Sequence, residues 1–372
     1  MKYFLIAGEA SGDLHASHLI EQLHRLDSSA ECMGLGGDKM FAAGCRIYQD
    51  YRKMAYMGVV AVLKNLSQIR RNFQIAKEAL LRDKPDVLIL VDYPSFNLKM
   101  AEFARKNLPD TKIVYYIPPK VWAWKTFRIH QIARLCDLVL GIFPFETEFY
   151  ARYGYRCEYI GNPTMDAIRE WKQTNDETPS DEFKYPYLVI LPGSRPHEIR
   201  RCLPMMLAAA RRYKDYNIVV TAAPGIDDSF YDSFLQDGEQ LTRNTYKAVS
   251  TARAAIVNSG TATLETALIG CPQEAVYSIF LSKVLGFLRP LIFSTPHFTL
   301  VNIIAQKEVI QEMVSYRFSE RCVSNELDKL LNDDSYRRQM LADYMHIAQI
   351  LGDTPAAVNA AERIISLAQR LQ

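Results

Sequence analysis

Tyr3-Phe4-Leu5-Ile6-Ala7, followed at once by Gly8-Glu9-Ala10-Ser11-Gly12-Asp13, decides how this chain is read. A short apolar strand, a glycine turn and a helix from about Leu14 to Leu26 are how nucleotide-binding α/β folds begin. In such folds the turn usually offers bare backbone N–H groups to a phosphate. Here it carries two carboxylates, Glu9 and Asp13, which repel a diphosphate. The turn is therefore read as built for hydroxyl chemistry or for capping its own helix. A phosphate site is expected elsewhere.

Outward from that unit, strand-like runs recur at Cys32–Leu35, Asp86–Asp92, Lys112–Ile117, Asp137–Phe143 and Cys157–Gly161, with helices between them. The polar stretch Lys172 to Lys184, which contains Pro179, reads as a linker. The alternation restarts at Tyr187–Leu191, Asn217–Ala222 and Ala254–Asn258. Such alternation predicts doubly wound parallel sheets. The expected architecture is α/β, with two Rossmann-like domains and a cleft between them. The first spans 1–170 and the second 185–345, and a last helix, about 353–372 and starting at Pro355, is a candidate to pack back on the first.

The gross composition narrows the function. At 372 residues the chain suits two domains, and 49% hydrophobic with 23% charged residues is an ordinary globular balance. A net charge of +2 argues against a nucleic-acid partner. The seven cysteines are scattered, with no C-x-x-C pair, so neither a disulfide framework nor a zinc site is expected, and a reducing cytoplasm is the expected compartment. The first strand starts too early for a signal peptide, and no apolar run approaches a membrane span. Any membrane contact is expected from the side.

Two turns in the second half suit anions. Leu191-Pro192-Gly193-Ser194-Arg195 lies between a strand and a helix, so Gly193 and Ser194 would present N–H groups while Arg195 adds a planar cationic fork. A plain βα turn with a surface arginine is the competing reading. Ser259-Gly260-Thr261-Ala262-Thr263-Leu264-Glu265 repeats the arrangement, with Glu265 one turn on, placed to accept ribose hydroxyls or simply to favour the helix dipole. The pair of turns points to a uridine-diphosphate-type ligand. Asp92 ends the run Val87 to Val91, and a carboxylate at a parallel strand's carboxyl end suits a general base or, equally, a loop-fixing cap. Trp122 and Trp124, close together on one loop, suit a sugar face or an acyl chain, although packing explains most single tryptophans. The stretch Gly58 to Phe73 is amphipathic and apolar, with Lys64, Arg70 and Arg71 on it, and suits an anionic membrane surface or a core-facing helix. Gly34-Leu35-Gly36-Gly37 lacks the last glycine of a dinucleotide fingerprint, and no D-x-D pair is present, so no cofactor and no required metal are expected.

Taken together, Gly8 to Asp13, Val121-Trp122-Ala123-Trp124, Pro144-Phe145-Glu146, Gly161-Asn162-Pro163, Leu191 to Arg195 and Ser259-Gly260-Thr261 resemble the lipid A disaccharide synthases, inverting glycosyltransferases of GT-B architecture. The resemblance spans nearly the whole chain. It implies transfer of 2,3-diacylglucosamine from its UDP donor to 2,3-diacylglucosamine 1-phosphate, giving a β-1,6 disaccharide and UDP. It also implies a cytoplasmic enzyme resting on the inner membrane of a Gram-negative bacterium, with an anionic membrane surface as partner and a homodimer as one assembly open to it. Carried onto this sequence, Asp92 becomes the first choice of base and Glu9 the second. Gly193, Ser194, Arg195, Gly260, Thr261, Glu265 and Asn302 become donor positions. Ser11, Asp13, Trp122, Val59, Val62, Leu63, Leu66 and Phe73 become acceptor or lipid positions. Ser95 stands where the family often has a second aspartate, and Pro272-Gln273-Glu274-Ala275 is more polar than usual. The rivals are a UDP-sugar 2-epimerase or a transferase with a soluble acceptor, and a non-catalytic nucleotide-sugar or lipid binder. A dehydrogenase stands behind both.

Overall fold

The computed structural model describes residues 1–54, 66–123, 125–174, 182–277, 296–314 and 318–369. Val59, Val62, Leu63 and Trp124 lie outside them, as does the side chain of Leu66. The chain divides into two compact units, Met1–Pro163 with Asp353–Gln372, and Thr164–Gly352.

The first unit is built on a parallel sheet of seven strands: β1 (Lys2–Ala7), β2 (Glu31–Gly36), β3 (Arg46–Asp50), β4 (Val87–Val91), β5 (Lys112–Tyr116), β6 (Leu138–Gly141) and β7 (Glu158–Tyr159). Their order is β3-β2-β1-β4-β5-β6-β7. The central strands are apolar along nearly their whole length because helices cover both faces. Alternation then sorts the side chains. Phe4, Ile6, Leu88, Leu90, Ile113 and Tyr115 enter one core, while Tyr3, Leu5, Val87, Ile89, Val114 and Tyr116 enter the other. The second core is closed by helix Ala10–Leu26, through Leu19, Ile20 and Leu23, and by helix Ala356–Gln369, through Ala360, Ala361 and Ile364. Gly161 lets the returning chain pass, since a Cβ there would lie 2.1 Å from the Thr354 carbonyl oxygen.

The second unit repeats the plan with β8 (Tyr187–Leu191), β9 (Asn217–Thr221), β10 (Gln240–Thr242), β11 (Ala254–Asn258), β12 (Gln273–Tyr277) and β13 (Glu312–Val314), in the order β10-β9-β8-β11-β12-β13. Both sheets therefore run outward, return to the centre and restart beside the first strand. The reversal lies between β1 and β4 in one unit and between β8 and β11 in the other. Open α/β sheets bind ligands outside the strand ends at such a reversal.

Two sequence expectations change. The helix after β1 begins at Ala10 rather than Leu14, so Ser11, Gly12 and Asp13 form its first turn and the loop shrinks to Gly8 and Glu9. Gln273 and Glu274, expected as a polar departure, are completely buried inside β12. Gln273 donates to the Thr263 carbonyl at 2.9 Å. Neither carboxyl oxygen of Glu274 has a hydrogen-bond partner among the described residues. Burial, with Glu326 next, pushes its pKa well above the carboxylate range. An acid whose folded pKa is raised contributes stability fully present below its unfolded pKa, and that contribution is lost as pH rises toward the folded value. Glu274→Leu should therefore stabilise the protein at neutral pH, with a gain over wild type that grows by up to about 1.4 kcal/mol per pH unit above about 4.3. Urea unfolding at mildly acidic and mildly alkaline pH reads it. A pH-independent difference would show that Glu274 titrates normally in the fold.

Candidate functional site

In the first unit the reversal brings two turns together, because Ala7 at the end of β1 pairs with Val91 at the end of β4. Gly8 and Glu9 follow the first strand and Asp92 and Tyr93 the second. A Cβ at Gly8 would lie 2.2 Å from the Tyr93 ring, so only glycine allows this approach. Asp92 and Tyr93 both adopt left-handed backbone conformations, φ 43° and 44°. Such residues are uncommon outside glycine and cluster where a fold must aim a side chain. The bend is held from several sides. The Asp92 carbonyl accepts from Asn97 Nδ2 at 2.7 Å and from the Tyr115 hydroxyl at 2.8 Å, and its N–H donates to the Ile117 carbonyl at 3.2 Å. The Tyr93 hydroxyl donates to the Met54 carbonyl at 2.7 Å. Asp92 is thus anchored through its backbone.

The Asp92 carboxyl is half-buried, and desolvation raises its pKa, while Lys120 and the Tyr93 N–H draw it back. Lys120, in the loop after β5, was not singled out from the sequence. Desolvation lowers its ammonium pKa against the opposing pull of Asp92 and then Glu146, although the residue as a whole is exposed. Glu146 is buried and accepts from the N–H groups of Ile142 and Phe143 at 2.9 and 3.0 Å and from Trp122 Nε1 at 3.1 Å. Burial raises it to about 7 despite those donors.

Several candidates have other tasks. Trp122 is 4% exposed, its indole N–H is given to Glu146, and its ring meets Phe143 and Phe145 edge-on. It is a packing residue, with no face for an acyl chain or sugar. Asp13 is 3% exposed, and its carboxylate accepts from the N–H groups of Gly37, Lys39 and Met40 at 2.7, 3.1 and 3.2 Å. It caps the neighbouring helix Asp38–Ala42 instead of addressing an acceptor. Ser11 is exposed, Glu9 half-buried, and Phe73 half-buried against Phe96 at 4.3 Å between ring centroids.

In the second unit Leu191 pairs with Val257, which sets the turn after β8 beside the turn after β11. Gly193 has φ 115°, and a Cβ on it would lie 2.4 Å from Asn258 Nδ2. Ser194 and Arg195 are exposed, and Arg195 forms an ion pair with Glu198 at 3.3 Å. Helix Pro196–Ala210 starts here, and helix Thr261–Ile269 starts after Gly260. Gly260 and Thr261 are exposed, and a Cβ at Gly260 would meet nothing within 4 Å. Two helix N-termini and an arginine therefore stand at one strand reversal, an arrangement that attracts anions. Glu265 is half-buried, raised by desolvation, with the Tyr246 hydroxyl 3.4 Å away. Asn302 belongs elsewhere. It is fully buried, donates to the Ile310 carbonyl and Glu312, and accepts from the N–H groups of Val309 and Ile310. Its amide is used up in fixing the chain before β13, so it offers nothing to a donor nucleotide. Among the described residues no group of three or more His, Cys, Asp or Glu side chains is placed to hold a metal ion.

The model of the lipid-A-disaccharide synthetase family matches residues 3–363. The lipid-A-disaccharide synthase of Geobacter sulfurreducens is 32% identical over 361 residues, covering 94% of this chain and 93% of the relative. Among solved structures, the Neisseria meningitidis UDP-GlcNAc 2-epimerase bound to UDP-GlcNAc is similar with a TM-score of 0.66 at 10% identity, over 100% of both chains. The calicheamicin glycosyltransferase CalG4 is similar with a TM-score of 0.58 at 14% identity, over 100% of this chain and 98% of its own. At those identities the structural likenesses establish the fold of two Rossmann-like units.

Asp13→Asn tests the capping role. It replaces one acceptor oxygen by an NH2 facing a backbone N–H, and should lower stability by about 1–3 kcal/mol. Urea unfolding measures this, and the folded variant should keep the wild-type KM for an acceptor. Unchanged stability with a raised KM would return Asp13 to the acceptor site.

Proposed function

The chain belongs to the lipid-A-disaccharide synthetase family, and from that premise we propose which residues carry the reaction and where it takes place. The protein is a UDP-sugar glycosyltransferase of lipid A biosynthesis, joining 2,3-diacylglucosamine from its UDP donor to 2,3-diacylglucosamine 1-phosphate. The observation that supports Asp92 as base is its setting. It stands at the first unit's strand reversal, fixed by its carbonyl rather than its carboxylate, with desolvation raising its pKa, the direction that makes a carboxylate a better proton acceptor.

In the proposed single displacement, Asp92 takes the proton of the acceptor 6-hydroxyl as that oxygen attacks the anomeric carbon. The bond from that carbon to the phosphate oxygen breaks, UDP leaves with the electron pair, and the configuration inverts. Glu9 and Ser11 orient the acceptor. In the second unit Gly193, Ser194, Gly260 and Thr261 offer N–H groups and Arg195 its guanidinium to the departing diphosphate, and Glu265 takes the ribose hydroxyls. Lys120 offsets part of the rise that desolvation gives the Asp92 pKa. No described helix is long and apolar enough to cross a membrane. The protein is proposed to meet the cytoplasmic face of the inner membrane from the side, through the stretch containing Val59, Val62, Leu63, Leu66 and Phe73.

The reaction is tested by UDP release from UDP-2,3-diacylglucosamine without added metal, with and without the diacylated monosaccharide phosphate. Acceptor-dependent release is the expected result. Turnover of unacylated UDP-GlcNAc without acceptor would favour an epimerase. Asp92→Asn should lower kcat by roughly 10²–10⁴-fold and leave the Kd for UDP unchanged, and near-wild-type turnover would remove Asp92 from the role. Lys120→Ala removes the cation that lowers the Asp92 pKa, so the acid limb of the kcat/KM profile should move to higher pH. An unmoved limb would separate Lys120 from the base.

A further inference from the structure

On the first unit, helices Leu66–Asp83 and Pro94–Asn107 enclose a groove of about 560 Å³. Each helix faces it at helical spacing: Arg70, Phe73 and Lys77 from one, Lys99, Phe103 and Lys106 from the other. The cations rest crosswise on the opposite helix's aromatics. Lys99 Nζ lies 5.4 Å from the Phe73 ring centroid, and Lys77 Nζ 5.1 Å from that of Phe103. Cation–π contact holds both ammonium groups over the groove. Among its described lining residues Glu102 is the one carboxylate, and it is exposed, with Arg134 at 4.0 Å. Two helices needing only to pack would not gather four cations on one face, because like charges repel.

We propose that this groove binds the phosphate headgroup of an anionic phospholipid in the bilayer. The inference rests on the membrane reading above and gives it a specific site. Four cations supply charge complementarity to a phosphodiester. The half-buried Phe73 and Phe103 leave apolar surface beneath the charges, which a glycerol backbone and the first acyl carbons can cover and a free phosphate cannot. Arg70, at one end, stands one turn beyond the apolar sequence ending at Leu66.

The test is vesicle cosedimentation of the full chain, using phosphatidylcholine alone and phosphatidylcholine with a quarter phosphatidylglycerol. The variant Lys77→Gln/Lys99→Gln/Lys106→Gln is compared with wild type and with Lys2→Gln/Lys184→Gln/Lys214→Gln, which loses equal charge elsewhere. Each lysine near an anionic surface contributes about fivefold, so the groove variant should lose ~100-fold in partitioning at low salt. The control should lose far less, and kcat on detergent-dispersed substrates should not change. Lys106→Gln alone, at an exposed position, should show its fivefold share even if the triple variant folds poorly. Equal partitioning of groove variant and wild type would overturn the proposal and leave the membrane reading standing. Failure of wild type to bind either vesicle would overturn both. Unchanged partitioning with a raised KM for the acceptor in detergent, or weakened binding of inorganic phosphate alone, would assign the groove to a soluble anion or to the acceptor.

Discussion

A parallel sheet covered on both faces leaves its strand ends as the place where polar chemistry reaches solvent. Where each unit places its candidate polar groups follows from that constraint. β1, β4 and β8 are buried along nearly their whole length, so a carboxylate or an arginine can appear only where these strands stop. The strand order then selects which ends are roomy, because only between β1 and β4, and between β8 and β11, do the connections depart in opposite directions. Asp92 and the Gly193 turn occupy those two places. At Asp92 the chain must also turn sharply within two residues. The left-handed pair Asp92-Tyr93 is a conformation costing roughly 1–3 kcal/mol per residue, and it persists because Asn97 and Tyr115 tie down the Asp92 carbonyl and Met54 holds the Tyr93 side chain by its hydroxyl.

The same constraint explains what was legible in the sequence. Central strands buried on both faces read as unbroken apolar runs, and the glycine-bearing turns after them announce themselves, so the two-unit plan and the turns at both reversals follow from pattern. Edge strands do not. β3 is partly exposed and reads Arg-Ile-Tyr-Gln-Asp, while β10 and β13 are three residues each. β12 hid for another reason, since Gln273 and Glu274 are polar yet wholly interior, and only tertiary packing accounts for a burial that residue type argues against.

The candidate site was less legible than the fold, and three of its residues have scaffold partners for one physical reason. Asp13, Asn302 and Trp122 sit in conspicuous motifs, but each spends its polar atoms on the scaffold: on the helix starting at Asp38, on the chain before β13, and on Glu146. Buried backbone N–H groups must be satisfied, and a family motif records that demand as faithfully as it records chemistry. Lys120 and Asn97 were missed from the other side. A lone lysine or asparagine has no diagnostic spacing: Lys120 gains meaning only when β4 and β5 bring the loops after them side by side, and Asn97 only when its helix folds back onto the Asp92 carbonyl.

The two units divide the electrostatics in a way the fold alone does not require. Around β1 and β4 the strand ends carry Glu9 and Asp92, two carboxylates that repel a diphosphate. Around β8 and β11 they carry Arg195 and two helix N-termini, a setting that does the reverse. UDP-sugar epimerases and sugar transferases share this architecture at 10–14% identity, so architecture cannot separate them. The placement of charge bears on the difference. A transferase must activate a second substrate's hydroxyl while its donor's phosphates are stabilised, and the proposed roles of the two strand reversals, one acidic and one cationic, answer those two demands.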